Sequence, residues 1–232
     1  MKDRVLKRVE YTKVDGGCTA STERIVRETY LTINLDGKPF VTAVLMATME
    51  KEYVVGHLYA QGIITGKEDI ESLTIENNVA EVNLSGKRKE ETVELVQSDL
   101  VVSREYVFDC IRAILRSEIF AETEAVHSAG LFLDGRETVC IAEDLGRHHA
   151  LDKAIGCGLL DNVDFRRTLA ASTGRQPAEM IAKCRRAGIP IIATKGVPTT
   201  LAVEMANKAG ITIAGLVRGD TMIVYSHPER IE

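Results

Sequence analysis

TLAASTGRQPAEMIAKCRRAGIPIIATKGVPTTLAVEMANKAGITIAGLV, residues 168–217, carries the pattern that decides the fold. Three short apolar runs, Thr168 to Ser172, Ile189 to Thr194 and Ile211 to Val217, alternate with two segments of helical spacing, Pro177 to Ala187 and Pro198 to Ala209. Strand, helix, strand, helix, strand argues a largely parallel sheet covered by helices. Upstream, Val126 to Leu133 and Thr138 to Ala142 read as strands joined by Asp134-Gly135, a hairpin turn signal, so the sheet is mixed. A helix from His148 to Leu159 follows, and Met222 to Tyr225 reads as a last edge strand. A further helix is predicted from Ser103 to Phe120, with Val107, Ile111, Ile114, Leu115 and Ile119 turned inward.

The N-terminal third is β-rich. Glu28 to Leu35 and Lys38 to Leu45 flank Asp36-Gly37, and Leu73 to Ile75 and Val79 to Leu84 flank Asn77-Asn78; both read as hairpins. Between them Met49 to Gln61 has helical spacing, with Val54, Val55, Leu58 and Tyr59 on one stripe and Gly62 at the C-cap. Lys87 to Glu91 reads as a solvated charged turn and Val93 to Val96 as one more strand. The expected fold is therefore α/β: a mixed sheet with helices on both faces over residues 103–232, and a small N-terminal α+β domain over residues 1–102.

Composition narrows the function. The 232 residues hold 29 Lys and Arg against 34 Asp and Glu, a net charge of −5, which argues against a dedicated nucleic-acid binder. The 45% apolar and 27% charged content is that of a folded soluble chain. No apolar run approaches the roughly 18 residues of a membrane span. Met1 to Tyr11 is charged and has no apolar signal core, so the expected location is the cytoplasm. Five scattered cysteines, none in a CxxC pair, argue against a disulfide framework and a structural zinc.

Polar loops stand where predicted strands end, the edge at which open α/β sheets bind ligands. The first is Glu143-Asp144-Leu145-Gly146-Arg147-His148-His149, followed by Asp152 and Lys153. Gly146 would let backbone N–H groups approach an anion at a helix N-terminus. The second is Ser172-Thr173-Gly174-Arg175 before Pro177, and the third Thr194-Lys195-Gly196-Val197-Pro198-Thr199-Thr200. Each of these two, taken alone, also reads as a simple helix cap. Arg218-Gly219-Asp220 closes the last core strand. A net-acidic chain thus gathers Arg147, Lys153, Arg175, Lys195 and Arg218 at one sheet edge, which suits a phosphate-bearing small molecule better than a polymer. His127 approaches the same edge and reads equally as a structural residue; His57 reads as structural and His227 as part of the exposed tail. Cys110, Cys140, Cys157 and Cys184 read as small buried hydrophobes and Cys18, in Gly16-Gly17-Cys18-Thr19, as exposed.

The run Glu143 to Lys153 resembles the EDxGRHNAxDK motif of the FdhD family, the formate dehydrogenase accessory sulfurtransferases. Val126-His127-Ser128-Ala129-Gly130 resembles the family's histidine strand, and Ser172-Thr173-Gly174-Arg175 with Glu179-Met180 and Lys183 its SGR-xxxEM-xxK segment. Gly196-Val197-Pro198-Thr199 and the turn from Leu216 to Thr221 resemble its later turns, and Glu52 to Ile64 its ELAxGFLxxEGII helix.

The resemblance implies a cytidine deaminase-like larger domain without zinc. It implies binding of the bis(molybdopterin guanine dinucleotide) molybdenum cofactor as a client, with sulfur taken from a cysteine desulfurase on behalf of formate dehydrogenase. It also implies a homodimer. The matching positions carried over as binding candidates are His127, Asp144, Gly146, Arg147, His148, Lys153, Ser172, Gly174, Arg175, Leu216, Val217, Arg218, Gly219, Asp220 and Thr221. His149 stands where the family has Asn, and Lys195 is added from its loop position. One departure is large. The family's CGxCG loop, which carries the persulfide, has no counterpart in Gln97 to Arg104, so no catalytic residue is assigned. The alternative is a cofactor-binding chaperone without transfer. A zinc deaminase is disfavoured because His127 is followed by Ser128-Ala129 rather than by the H-x-E element.

Overall fold

Strands with apolar residues on both faces must be covered on both, and the three apolar runs within residues 168–217 meet that condition. The computed structural model describes residues 2–86 and 95–232. In it β7 (His127–Leu133), β8 (Glu137–Asp144), β9 (Thr168–Ser172), β10 (Ile191–Thr194), β11 (Thr212–Arg218) and β12 (Thr221–Ser226) form one sheet in the order β12-β11-β10-β9-β7-β8. β9, β10 and β11 are parallel, while β7, β8 and β12 join by antiparallel pairing. The mixed sheet expected from the sequence is present.

Alternate residues face opposite layers. Leu169, Ala171, Ile191 and Ala193 pack under α3 (Arg104–Leu115) with Phe108, Ile111 and Ile114. Ala170 and Ile192 meet α5 (Arg147–Leu160), α6 (Ala178–Ala187) and α7 (Thr200–Ala209) through Leu151, Ile155, Met180, Ile181 and Ala206. The helix predicted from Ser103 to Phe120 is two helices: α3 ends at Leu115 and α4 (Glu118–Thr123) begins after Ser117. Ser117 is extended (φ −60°, ψ 150°) and its hydroxyl donates to Ile114 O at 2.8 Å. Glu143 Oε1 accepts the α4 N–H groups of Ile119 and Phe120 at 2.9 and 2.7 Å. That carboxylate comes from β8, so the apolar spacing could not show the break.

In the N-terminal part, β3 (Thr29–Leu35), β4 (Lys38–Leu45), β5 (Ile70–Glu76) and β6 (Val79–Leu84) make a second sheet, order β4-β3-β6-β5, covered by α2 (Glu50–Ala60). Asp36 and Gly37 both have positive φ (49° and 75°), as the predicted two-residue turn requires. Two further strands, β1 (Leu6–Val14) and β2 (Cys18–Val26), pair into a mostly exposed ribbon behind the short helix α1 (Lys2–Val5). The expected turn Lys87 to Glu91, and Val93 with Glu94, lie outside the described residues, and Leu95 and Val96 are not in a strand. Among the described residues no helix is long and apolar enough to cross a membrane.

α2 lies directly on α5. A Cβ on Gly56 would stand 1.8 Å from Asp152 O, and one on Gly156 would stand 1.9 Å from Glu52 O. Two glycines at the crossing let the backbones touch, and this contact carries α2 side chains to the base of the loop that starts α5.

Candidate functional site

β8, β9, β10 and β11 all end at the same edge of the large sheet, and β7 and β12 begin there. The loops at that edge are tied to one another in sequence. The Arg147 stem packs on Gly174, where a Cβ would come within 2.8 Å of it. Gly174 O accepts from Thr194 Oγ1 at 2.5 Å and from Gln176 Nε2 at 3.2 Å. Gln176 N donates to Val197 O and Thr199 N to Gln176 O, at 2.9 and 3.1 Å. Leu216 N donates to Gly196 O at 2.8 Å. Leu216 itself takes φ 50° where β11 bulges against β12. The structure therefore brings the four predicted turns into one continuous shelf. Arg175, Lys195, Arg218, Gly219, Asp220 and Thr221 are exposed on it, Arg147, Gly146, His148, His149 and Leu216 are half-buried, and Ser172, Gly174 and Val217 lie beneath.

Two of the anticipated charged groups also lie beneath this surface. Lys153 and Asp144 side chains are both 0% exposed and form an ion pair of 2.6 Å. Lys153 Nζ also donates to Met46 O and Glu143 O, each at 3.0 Å. Asp144 accepts from Met46 N at 3.1 Å and from Gly146 N at 3.2 Å, and His149 Nδ1 lies 3.2 Å from it. Burial pushes the Asp144 carboxyl up, but His149, Lys153 and the Gly146 N–H outweigh it and leave it below the usual range. The pair thus fixes the loop that opens α5 and joins it to the segment after β4. It is support for the shelf, not part of its surface.

The N-terminus of α5 has no side-chain cap, since Gly146 holds that position, so its first N–H groups are open to an anion. Among the described residues, Arg147 Nε, Gln176 Oε1 and Ser128 Oγ are buried without a partner. An anionic oxygen at the shelf would satisfy the first of these. His127 Nδ1 lies 3.2 Å from Thr173 Oγ1, whose oxygen also accepts from Ser128 N. Burial and then Arg147 lower the His127 pKa. Burial, then Lys183 and Arg147, do the same to His148. Both rings are therefore neutral at pH 7 and offer hydrogen bonds rather than charge.

Two hollows flank the shelf. One, about 270 Å³, is floored by Phe108, Ile111, Leu115 and Val217, with Lys195 and Arg218 at its lip. The other, about 380 Å³, lies between α2, α5 and α6 and is lined by His57, His148, His149, Asp152, Glu179 and Lys183 among others. There buried Asp152 pairs with Lys183 and stands 3.3 Å from His57 Nδ1. Tyr53 stacks on His57 and meets His149 edge-on at 5.1 Å. From the sequence His57 reads as structural, and Tyr53 carries no functional signal of its own. Their one signal was the pair of mid-helix glycines, Gly56 and Gly156, that seats α2 on α5.

Fold and site together define a mixed α/β protein with a cationic shelf at the carboxyl ends of its parallel strands. The model of the FdhD/NarQ family matches residues 26–97 and 87–232, and the chain belongs to that family. It is 35% identical over 213 residues to the sulfur carrier protein FdhD of Saccharolobus solfataricus, covering 82% of this chain and 83% of the relative. It is 30% identical over 245 residues to that of Methanothermobacter thermautotrophicus, covering 97% and 98%. A crystal structure of a candidate formate dehydrogenase accessory protein from Desulfotalea psychrophila superposes with a TM-score of 0.87 at 27% identity, covering 98% of this chain and all of that one.

Proposed function

We propose that this chain is a cytoplasmic, homodimeric sulfur carrier that serves formate dehydrogenase. In this reading it holds the bis(molybdopterin guanine dinucleotide) molybdenum cofactor as cargo and takes sulfur from a cysteine desulfurase. The carrying observation is the shelf: four hydrogen-bonded turns that present Arg147, Arg175, Lys195 and Arg218 over an uncapped helix N-terminus. Phosphates suit these donors, through charge-assisted bonds and the helix dipole. The apolar hollow beside Lys195 and Arg218 suits the face of a ring system. The names borne by the relatives support the sulfur and formate dehydrogenase parts of the reading. The hairpin β7–β8 leading into three parallel strands supports a cytidine deaminase-like larger unit.

GDP binding to wild type and to Arg147→Ala tests the site. Loss of a charge-assisted contact costs about 1.5–3 kcal/mol, roughly 10- to 150-fold in Kd. Equal affinity for the two proteins would remove the first loop from the site. The second reading, a cofactor chaperone that transfers nothing, is favoured by one fact: Gln97 to Arg104 contains no cysteine. Incubation with a desulfurase and cysteine separates the two, because only a carrier gains the mass of a sulfur atom.

A further inference from the structure

The hollow of about 380 Å³ between α2, α5 and α6 differs in chemistry from the shelf beside it. Its one lysine is already committed: Lys183 Nζ donates to the Asp152 carboxylate and to His148 O at 3.5 Å. His57 Nδ1 stands 3.3 Å from Asp152 Oδ2, and His149 Nδ1 stands 3.2 Å from Asp144 Oδ1. A carboxylate accepts, so each of these rings carries its proton on Nδ1 and keeps Nε2 as an acceptor. Both aspartates are buried, and Tyr53 stacks on the first ring at 5.4 Å and meets the second edge-on at 5.1 Å, so the two imidazoles are held in place. The third ring, His148, has its Nε2 at 3.7 Å from Glu179 Oε2, and Glu179 is open to solvent. Among the lining residues two carboxylates, Asp152 and Glu179, stand against one ammonium, so the wall is formally negative. In the two motifs that the chain resembles, positions 57 and 149 are Phe and Asn, so the pair of imidazoles is this chain's own feature.

We propose that this hollow is a binding site for a small primary ammonium ion, with His57 Nε2, His149 Nε2 and the Glu179 carboxylate as its acceptors. An ammonium group has three N–H donors and no acceptor, so it matches a wall that presents acceptors and a formal negative charge. An anion is a poorer match, because the lining cation, Lys183, is spent on Asp152. Among the described residues no three His, Cys, Asp or Glu side chains are grouped so as to hold a metal ion, which leaves an organic cation as the ligand class. The site is separate from whatever the shelf carries and stands or falls without it.

The test is a titration of the full chain with butylammonium, read by the nitrogen chemical shifts of the imidazole rings. Saturable shifts of the His57 and His149 Nε2 signals are expected. Binding should be at least about tenfold weaker in His57→Phe and in Glu179→Gln, the cost of one charge-assisted bond. His57→Phe keeps an aromatic ring on Tyr53, and the Glu179 side chain is 81% exposed, so its change leaves the core alone. Circular dichroism checks that both variants fold. Tetramethylammonium, which has the charge but no N–H, should leave the shifts flat. The proposal is overturned if butylammonium gives no saturable shift, if tetramethylammonium binds as tightly, or if either folded variant binds butylammonium like wild type.

Discussion

Lys153→Met removes one partner from a pair that has no water to fall back on. Both side chains of the Lys153–Asp144 pair are fully buried at 2.6 Å. In the variant, Asp144 keeps the Met46 and Gly146 N–H groups and His149 but loses its cation, and the carbonyls of Met46 and Glu143 lose a donor. Breaking a buried pair from one side costs about 3–5 kcal/mol, because the remaining charge stays desolvated. At about 2–4 °C per kcal/mol for a chain of this size, the melting temperature should fall by roughly 6–20 °C. Urea unfolding followed by circular dichroism gives the free energy directly. The double variant Lys153→Met/Asp144→Asn should lose less than the two single losses added, since neither charge is left stranded. A single-variant loss under about 1 kcal/mol, well below the range for a buried pair, would refute the description of this pair as a dry structural bridge. The acid side offers a second check. Asp144 is held below the usual carboxylate range, so its contribution is whole above its unfolded value, about 3.9, and is lost as pH falls through the lower folded value.

Gly156→Ala forces a methyl into Glu52 O, so α2 and α5 must part; a loss of at least about 2–3 kcal/mol in urea unfolding is expected, and none would mean that the helices do not cross there. GDP binding should be flat in pH from about 7 to 8 as far as His127 and His148 are concerned, since both are neutral there. It should tighten as acid protonates them, and His127→Gln/His148→Gln should remove that acid limb; an acid limb intact in the double variant would place both rings outside the site.

Much of this was open to a reading of residues alone. The parallel strands could be placed because each is largely apolar and runs into a Gly-containing turn, and the hairpins because Asp36-Gly37 and Asp134-Gly135 tolerate positive φ. What escaped depended on groups remote in the chain. The stop between α3 and α4 is held by a carboxylate from β8. The ribbon β1–β2 is exposed along most of its length, so its alternation carries little hydrophobic signal.

The same division applies to the site. The sequence alone determined which residues lie at strand ends, because strand periodicity and helix spacing are local properties written within a few positions. It therefore placed Arg147, Arg175, Lys195 and Arg218 at a common edge. Only the tertiary structure decided that Lys153 is not a fifth member of that set and that His57 is a neighbour of Asp152. Burial and pairing are set by which distant surfaces pack together, and no local pattern encodes how deep an ammonium group will be carried when the segment after β4 and the end of β8 close over it.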